Sequence, residues 1–294
     1  MTRISKAFLG IAALGLLLPG DYSSAQEVVS ILSSESRHYR EASDSFQKAL
    51  GKPVPTFILS GDTPRISTDT KVAVAFGGKA AMAEYPGHVI VISCLAPGVG
   101  VDFPRRKMPH IRVSMLPHPR SLLSTLTAIQ PALKVLVVYW ASESMRRYVK
   151  SMEQEAALRG IEIVGGKLDG PGDFPARLRR LPAQADAIWL APDPLLVNAQ
   201  SFATLKDFSW ANGVPFYAPT AGLVDKGATA SVSVGFDEIG RVAAEVARNA
   251  LAGRLPDGPV HPDKAEVAIN LTAARNVHLA IPPGVMKTAN RVAR

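Results

Sequence analysis

Pro192-Asp193-Pro194 is where this sequence most plainly prepares chemistry. Two prolines pin the backbone on either side of an acid, directly after the apolar run Ala185-Asp-Ala-Ile-Trp-Leu-Ala191, so a carboxylate is presented at a strand end. Such a group can pair with a ligand's ammonium, cap a helix beginning at Leu195, or do both. Gly77-Gly78-Lys79 is the second candidate. Free N–H groups at a strand-to-helix turn can hold a carboxylate or another anion, while the same two glycines can equally serve only to make the turn tight. Trp140 and Phe236 can supply aromatic walls and Thr220 a hydroxyl, and these residues matter as a set converging on one cleft.

Catalytic signatures are missing from the chain. Gly77-Gly78-Lys79 is not a phosphate loop, because no Gly stands five residues before Gly78 and Ala80 occupies the magnesium-holding position. Gly98-Val-Gly100 has no third glycine before a helix, which argues against dinucleotide binding, and no G-x-S-x-G offers a nucleophile elbow. The six histidines form no H-E-x-x-H and pair with no cysteine, so no metal and no cofactor are expected, and neither is an enzyme.

The elements that must carry these residues alternate between strand and helix. Glu27–Leu32, Val54–Leu59, Lys71–Phe76 and His88–Leu95 read as strands, with a helix over 39–50, a short one over 80–84, and a polar loop over 60–70. Ile111–Met115 leads to a helix over 119–130. The strand Lys134–Trp140 is followed by a helix capped by Ser142 or Ser144, with Met145, Tyr148, Val149, Met152 and Ala156 on its apolar face. Strands at 161–164, 185–191 and 214–220 alternate with a helix over 195–212. A last strand, 228–236, precedes a periodic helix capped by Asp237 and closed at Gly253, then a strand at 267–271 and a partly helical tail. Helices of this length between strands imply parallel sheets covered on both faces, with ligands outside the carboxyl strand ends. In the second half those ends are Trp140 to Glu143, Pro192 to Pro194 and Pro219 to Gly222.

Bulk properties set the compartment. Met1-Thr-Arg3-Ile-Ser-Lys6 is a basic start, Ala7 to Leu18 is an apolar core below the roughly 20 residues of a spanning helix, and small residues end at Ala25. The expectation is a signal peptide cleaved after Ala25, no lipid anchor because no cysteine follows, and a periplasmic product of 294 − 25 = 269 residues. Cys94 is the single cysteine and lies in an apolar run, where packing is the favoured role. The net charge of +8 is spread over scattered basic residues without aromatic interleaving, so nucleic acid is not expected as a partner.

Several segments are familiar as a group. Val135-Leu-Val-Val-Tyr139, Ala185 to Pro194, Gly213-Val-Pro-Phe-Tyr-Ala-Pro-Thr-Ala-Gly222, Val224-Asp-Lys-Gly-Ala228, Phe236-Asp-Glu-Ile-Gly240, Ile269-Asn-Leu-Thr-Ala-Ala274 and Ile281-Pro-Pro283 follow one family's order and spacing. The chain from Lys134 onward resembles the ABC-transporter substrate-binding proteins of the tryptophan or aromatic amino-acid-binding type, with a type I periplasmic binding protein fold. That resemblance implies two doubly wound parallel-sheet α/β lobes joined by three hinge crossovers. It implies an N-terminal lobe over 26–112 completed by helix 237–253, a C-terminal lobe over 113–236, and a crossover strand and tail over 254–294. By matching position, the ligand contacts it implies are Ser33, Ser34, Gly77, Gly78, Ser93, Trp140, Ser142, Asp193, Thr220 and Phe236. The first lobe departs from the pattern and is shortened, the loop at 60–70 standing where the family has a helix. The expected function is that of an exported monomer that closes on a small amino-acid-like or aromatic solute and delivers it to an inner-membrane ABC permease. The rival expectation is an envelope interaction or sensor protein on the same scaffold.

Overall fold

A computed structural model describes residues 27–59, 66–97, 109–181 and 183–294. The signal segment, the first half of the 60–70 loop and Gly98-Val-Gly100 lie outside the described residues.

Two parallel-sheet lobes make up the molecule. The first sheet runs β2 (Thr56–Ile58), β1 (Val28–Leu32), β3 (Val72–Phe76), β4 (Ile90–Cys94), β5 (His110–Arg112), with every neighbouring pair parallel. All five residues of β1 and of β3 are buried, which is why these strands read as unbroken apolar runs: both faces of a parallel sheet are covered. Helix α1 (Arg37–Leu50) lies on one face and α2 (Gly78–Met82) on the other, and no helix joins β2 to β3 among the described residues. Cys94 is fully buried at the end of β4, and burial pushes its thiol up, out of the reactive range.

The second sheet has the order β12 (Arg291–Ala293), β11 (Glu266–Asn270), β10 (Ala230–Ser233), β9 (Phe216–Ala218), β8 (Ala187–Leu190), β6 (Val135–Trp140), β7 (Glu162–Lys167). All its pairs are parallel except β10 with β11. Helices α3 (Pro119–Ile129) and α4 (Glu143–Ala157) cover one face, where Leu122, Leu126, Tyr148, Met152 and Trp189 meet. On the other face α5 (Phe174–Leu178), α6 (Ala199–Asn212) and α7 (Ala221–Val224) enclose a separate core around Phe174, Phe202 and Phe216.

The chain passes between the lobes three times: after β5, between β10 and α8 (Phe236–Leu251), and between α8 and β11. The first and third passages touch through the parallel bridge Val113↔Val260. Helix α8 returns to the first lobe, where Ile239, Val242, Ala243, Val246 and Ala247 join the core of Phe46, Val74 and Phe76. The remaining helices are α9 (Leu271–Asn276) and α10 (Pro283–Thr288).

Helices α1 and α2 each start two residues earlier than expected, and α6 and α8 start at other caps. Helix α6 begins at Ala199 because Asn198 Oδ1 accepts from the Ser201 N–H, and the residues after Pro194 form a turn. Helix α8 begins at Phe236 with Gly235 as its cap, leaving Asp237 in the first turn, where its charge still favours the helix dipole. Two short helices, α5 and α7, escape a periodicity reading because one turn shows no period.

Candidate functional site

A cavity of ≈ 360 Å³ lies where the lobes meet the crossovers. The first lobe contributes Ala96 and Pro97 beyond β4 and Arg112 of β5. The first crossover adds Val113 to Leu116, and the third adds Pro259 and His261. From the second lobe come one face of α4, with Met145, Arg147 and Tyr148, and the strand-end residues Pro192, Pro194, Pro219 and Thr220. The walls are therefore apolar and proline-rich, with a few polar groups converging on the space, as ligand sites are built.

Charge in this cavity is one-sided. Arg112 and Arg147 reach it and no carboxylate lines it among the described residues. Burial lowers the Arg112 guanidinium from its ordinary value, and the positive charge of Arg147 acts in the same direction. His261 sits with its ring 5.2 Å from that of Tyr148, and its Nδ1–H donates to the Leu116 carbonyl at 3.2 Å. Tyr148 in turn donates its hydroxyl to the Pro117 carbonyl at 2.8 Å. Burial pushes the His261 pKa down to about 4, and the neighbouring His118 and Arg112 push it the same way.

A histidine whose folded pKa lies below the unfolded value of about 6.5 contributes stability that is full above that value and is lost as pH falls toward the folded one. The protein is therefore expected to lose on the order of 2 kcal/mol between pH 6.5 and pH 4 through this residue. Urea unfolding at both pH values checks it. His261→Gln should flatten that slope, and an unchanged slope would assign the loss to other groups.

Asp193 is fully buried. Its Oδ2 accepts from the backbone N–H groups of Ala141 and Ser142, each at 2.7 Å, and Oδ1 accepts from Leu195 at 3.0 Å. With three donors satisfied, the carboxylate has no free face for a ligand's ammonium, and it does not cap a helix at Leu195 either. It fastens the end of β6 to the turn after β8. The rim it braces includes Pro192 and Pro194, which do line the cavity.

The other expected contacts are spread around the cleft. Thr220 is exposed and lines the cavity. Ser142 caps α4, its Oγ accepting from Met145 at 3.4 Å and lying 3.2 Å from the Oγ of Ser144, a lining residue. Trp140 is half-buried at the end of β6 and packs on the second-lobe core, its buried Nε1 lacking a partner among the described residues. Phe236 stacks against His38 at 4.4 Å beside the first-lobe core. Ser33 Oγ accepts from the Ala80 N–H at 2.8 Å, holding α2 onto β1. Exposed Ser34 accepts from Ser36 at 3.4 Å, Gly78 opens α2, and the hydroxyl of fully buried Ser93 has no partner among the described residues. None of these first-lobe residues lines the cavity.

Gly77 explains the shape of that rim. Its φ is +95°, and a Cβ there would lie 2.6 Å from both Ser33 Oγ and Tyr39 Cζ. Gly77→Ala is expected to cost about 2 kcal/mol, mostly from the left-handed backbone, because the two side chains can move aside. Thermal unfolding measures it, and an unchanged melting temperature would mean that this turn relaxes freely.

A family model described as ABC transporter substrate binding protein matches residues 121–293, more than half of the chain. The chain belongs to that family. The tyrosine-binding protein of Clostridioides difficile is 28% identical to this substrate-binding protein over 152 residues, which is 51% of this chain and 43% of the relative. The chain thus spans less than half the length of that relative. Among solved structures, the ligand-free, open form of a Clostridium difficile substrate binding protein with adhesive properties superposes with a TM-score of 0.63 at 17% identity, covering 91% of this chain and 99% of the other. The ABC domain in complex with L-Trp from Streptococcus pneumonia gives 0.54 at 17% identity, covering 90% and 98%. These likenesses show the type I periplasmic binding protein fold for this family member.

Sequence reasoning missed Arg112, Arg147, Tyr148 and His261. Arg112 did carry a signal, since it alternates with buried Ile111 and Val113 and so faces away from the core. Arg147 sits beside the apolar stripe of α4, and nothing in the sequence says that the other lobe stands opposite it.

Proposed function

We propose that this substrate-binding protein is an exported monomer that holds a small, amino-acid-like or aromatic solute between its lobes and delivers it to an inner-membrane ABC permease. The observation that carries this reading is the ≈ 360 Å³ apolar cavity shared by both lobes and two crossovers. Its size falls in the ~300–1,000 Å³ range of small-molecule sites. The tyrosine-binding relative supports a solute with an aromatic body. Solute touching both lobes favours the closed arrangement over the open one, and that difference in affinity is the signal a permease can read. On closure Trp140, Ser142, Thr220 and Phe236 meet the solute together with the rim of Ser33, Ser34, Gly77, Gly78 and Ser93. Asp193 acts through the backbone it fastens. No catalytic step is assigned, and the signal is cleaved after Ala25 on export.

A thermal-shift screen of the mature chain against amino acids, aromatic acids and purines tests the reading. A solute at 100 times its dissociation constant adds about 2.7 kcal/mol. Silence across the whole screen from a folded protein would overturn it.

A further inference from the structure

We infer that the cleft selects an organic anion, a solute with an apolar or aromatic body whose carboxylate bridges Arg112 of the first lobe and Arg147 of the second, and which carries no ammonium group. The inference rests on the cleft being the solute site.

Arg112 on β5 and Arg147 on α4 line one cavity from opposite lobes, near enough for the charge of one to act on the other. Neither has an ion-pair or hydrogen-bond partner among the described residues. On α4 Arg146 holds Glu143 through Nε at 2.8 and 2.9 Å, just past its end Arg159 holds Glu155 at 2.8 Å, and on α8 Arg241 holds Glu238 at 2.7 Å. Exposed Arg37, Arg179 and Arg180 also lack such partners among the described residues; what sets Arg112 and Arg147 apart is that both line one cavity, from opposite lobes.

Among the described residues no carboxylate stands as their partner in the cavity. Glu143 is within electrostatic range of Arg147 but is held by Arg146. The Asp193 carboxylate is consumed by three backbone donors. The acids grouped near Gly235, namely Glu41, Asp237 and Glu266, line no part of the cavity. Among the described residues an arriving ammonium would meet serine and threonine hydroxyls and two arginines of its own sign, and no carboxylate. A carboxylate meets two planar forks suited to bidentate hydrogen bonds. Met115, Leu116, Met145 and Val232 provide apolar wall for the rest of the molecule.

The placement also couples binding to closure. Like charges on opposite lobes oppose each other in the empty cleft, and closure reduces their separation. A bridging anion reverses the sign of that contribution, so it binds the closed arrangement in preference to the open one.

Isothermal titration calorimetry on the mature protein tests this with the matched probes 3-phenylpropionate, L-phenylalanine and 2-phenylethylamine, and with 4-methylpentanoate as an aliphatic carboxylate. At least one of the carboxylates should bind tenfold or more tightly than L-phenylalanine, the amine should not bind, and affinity should fall with salt. Arg112→Gln and Arg147→Gln should each weaken carboxylate binding tenfold or more with the melting temperature kept, while Arg146→Gln leaves it unchanged. If L-phenylalanine binds as well as or better than both carboxylates, or if neither arginine change matters, the inference is overturned while the solute-binding reading stands. If no probe binds and the wider solute screen is silent too, both fall.

Discussion

Asp193→Ala should lower the unfolding free energy by about 3 kcal/mol, whether or not a solute is present. The change removes a fully buried carboxylate and strands the N–H groups of Ala141, Ser142 and Leu195. Each buried donor left without a partner costs roughly 1–3 kcal/mol, reduced here by water entering the space. In a protein of this size the melting temperature should fall by about 6–12 °C. Asp193→Asn should recover only part of this, because its amide keeps one acceptor oxygen and turns its NH₂ toward an N–H. Calorimetry on the empty protein decides the matter. Unchanged stability with lost solute affinity would return this carboxylate to the ligand.

Gly240→Ala should destabilise the first lobe by about 1–3 kcal/mol. On an exposed helix the same substitution stabilises by about 1 kcal/mol, so the sign of the result is itself the test. Gly240 lies on α8 where that helix touches α1 backbone to backbone. A Cβ there would stand 2.1 Å from the Ala42 carbonyl oxygen and 2.8 Å from the Phe46 nitrogen. Neither atom is the end of a flexible side chain, so the helices themselves must part. That separation would loosen the packing of Phe46, Ile239 and Ala243, which ties the C-terminal part of the chain to the first lobe. Chemical denaturation of the variant measures the effect, and a gain in stability would show that the two helices are not in close contact.

The alternation of elements and their buried faces follow from side-chain types read along the chain. Runs such as Val135–Trp140 and Val72–Phe76 are apolar throughout because a parallel sheet is covered on both sides, and the stripe on α4 repeats at helical spacing. These are local consequences of side-chain type, so order and rough boundaries can be read without coordinates, and with them the two-lobe family. The strand ends at Pro192, Pro194, Pro219 and Thr220 were legible for the same reason.

Which polar groups remain free depends on the folded arrangement. Asp193 looks available in the sequence, yet its Oδ2 is taken by N–H groups 52 and 51 residues away, just past the end of another strand. Arg112 and Arg147 look like ordinary surface charges, yet the fold brings them from two lobes to one cavity with no counter-charge among the described residues. Hydrogen-bond satisfaction and the sign of a local field depend on everything within a few ångströms, and those neighbours come from all along the chain.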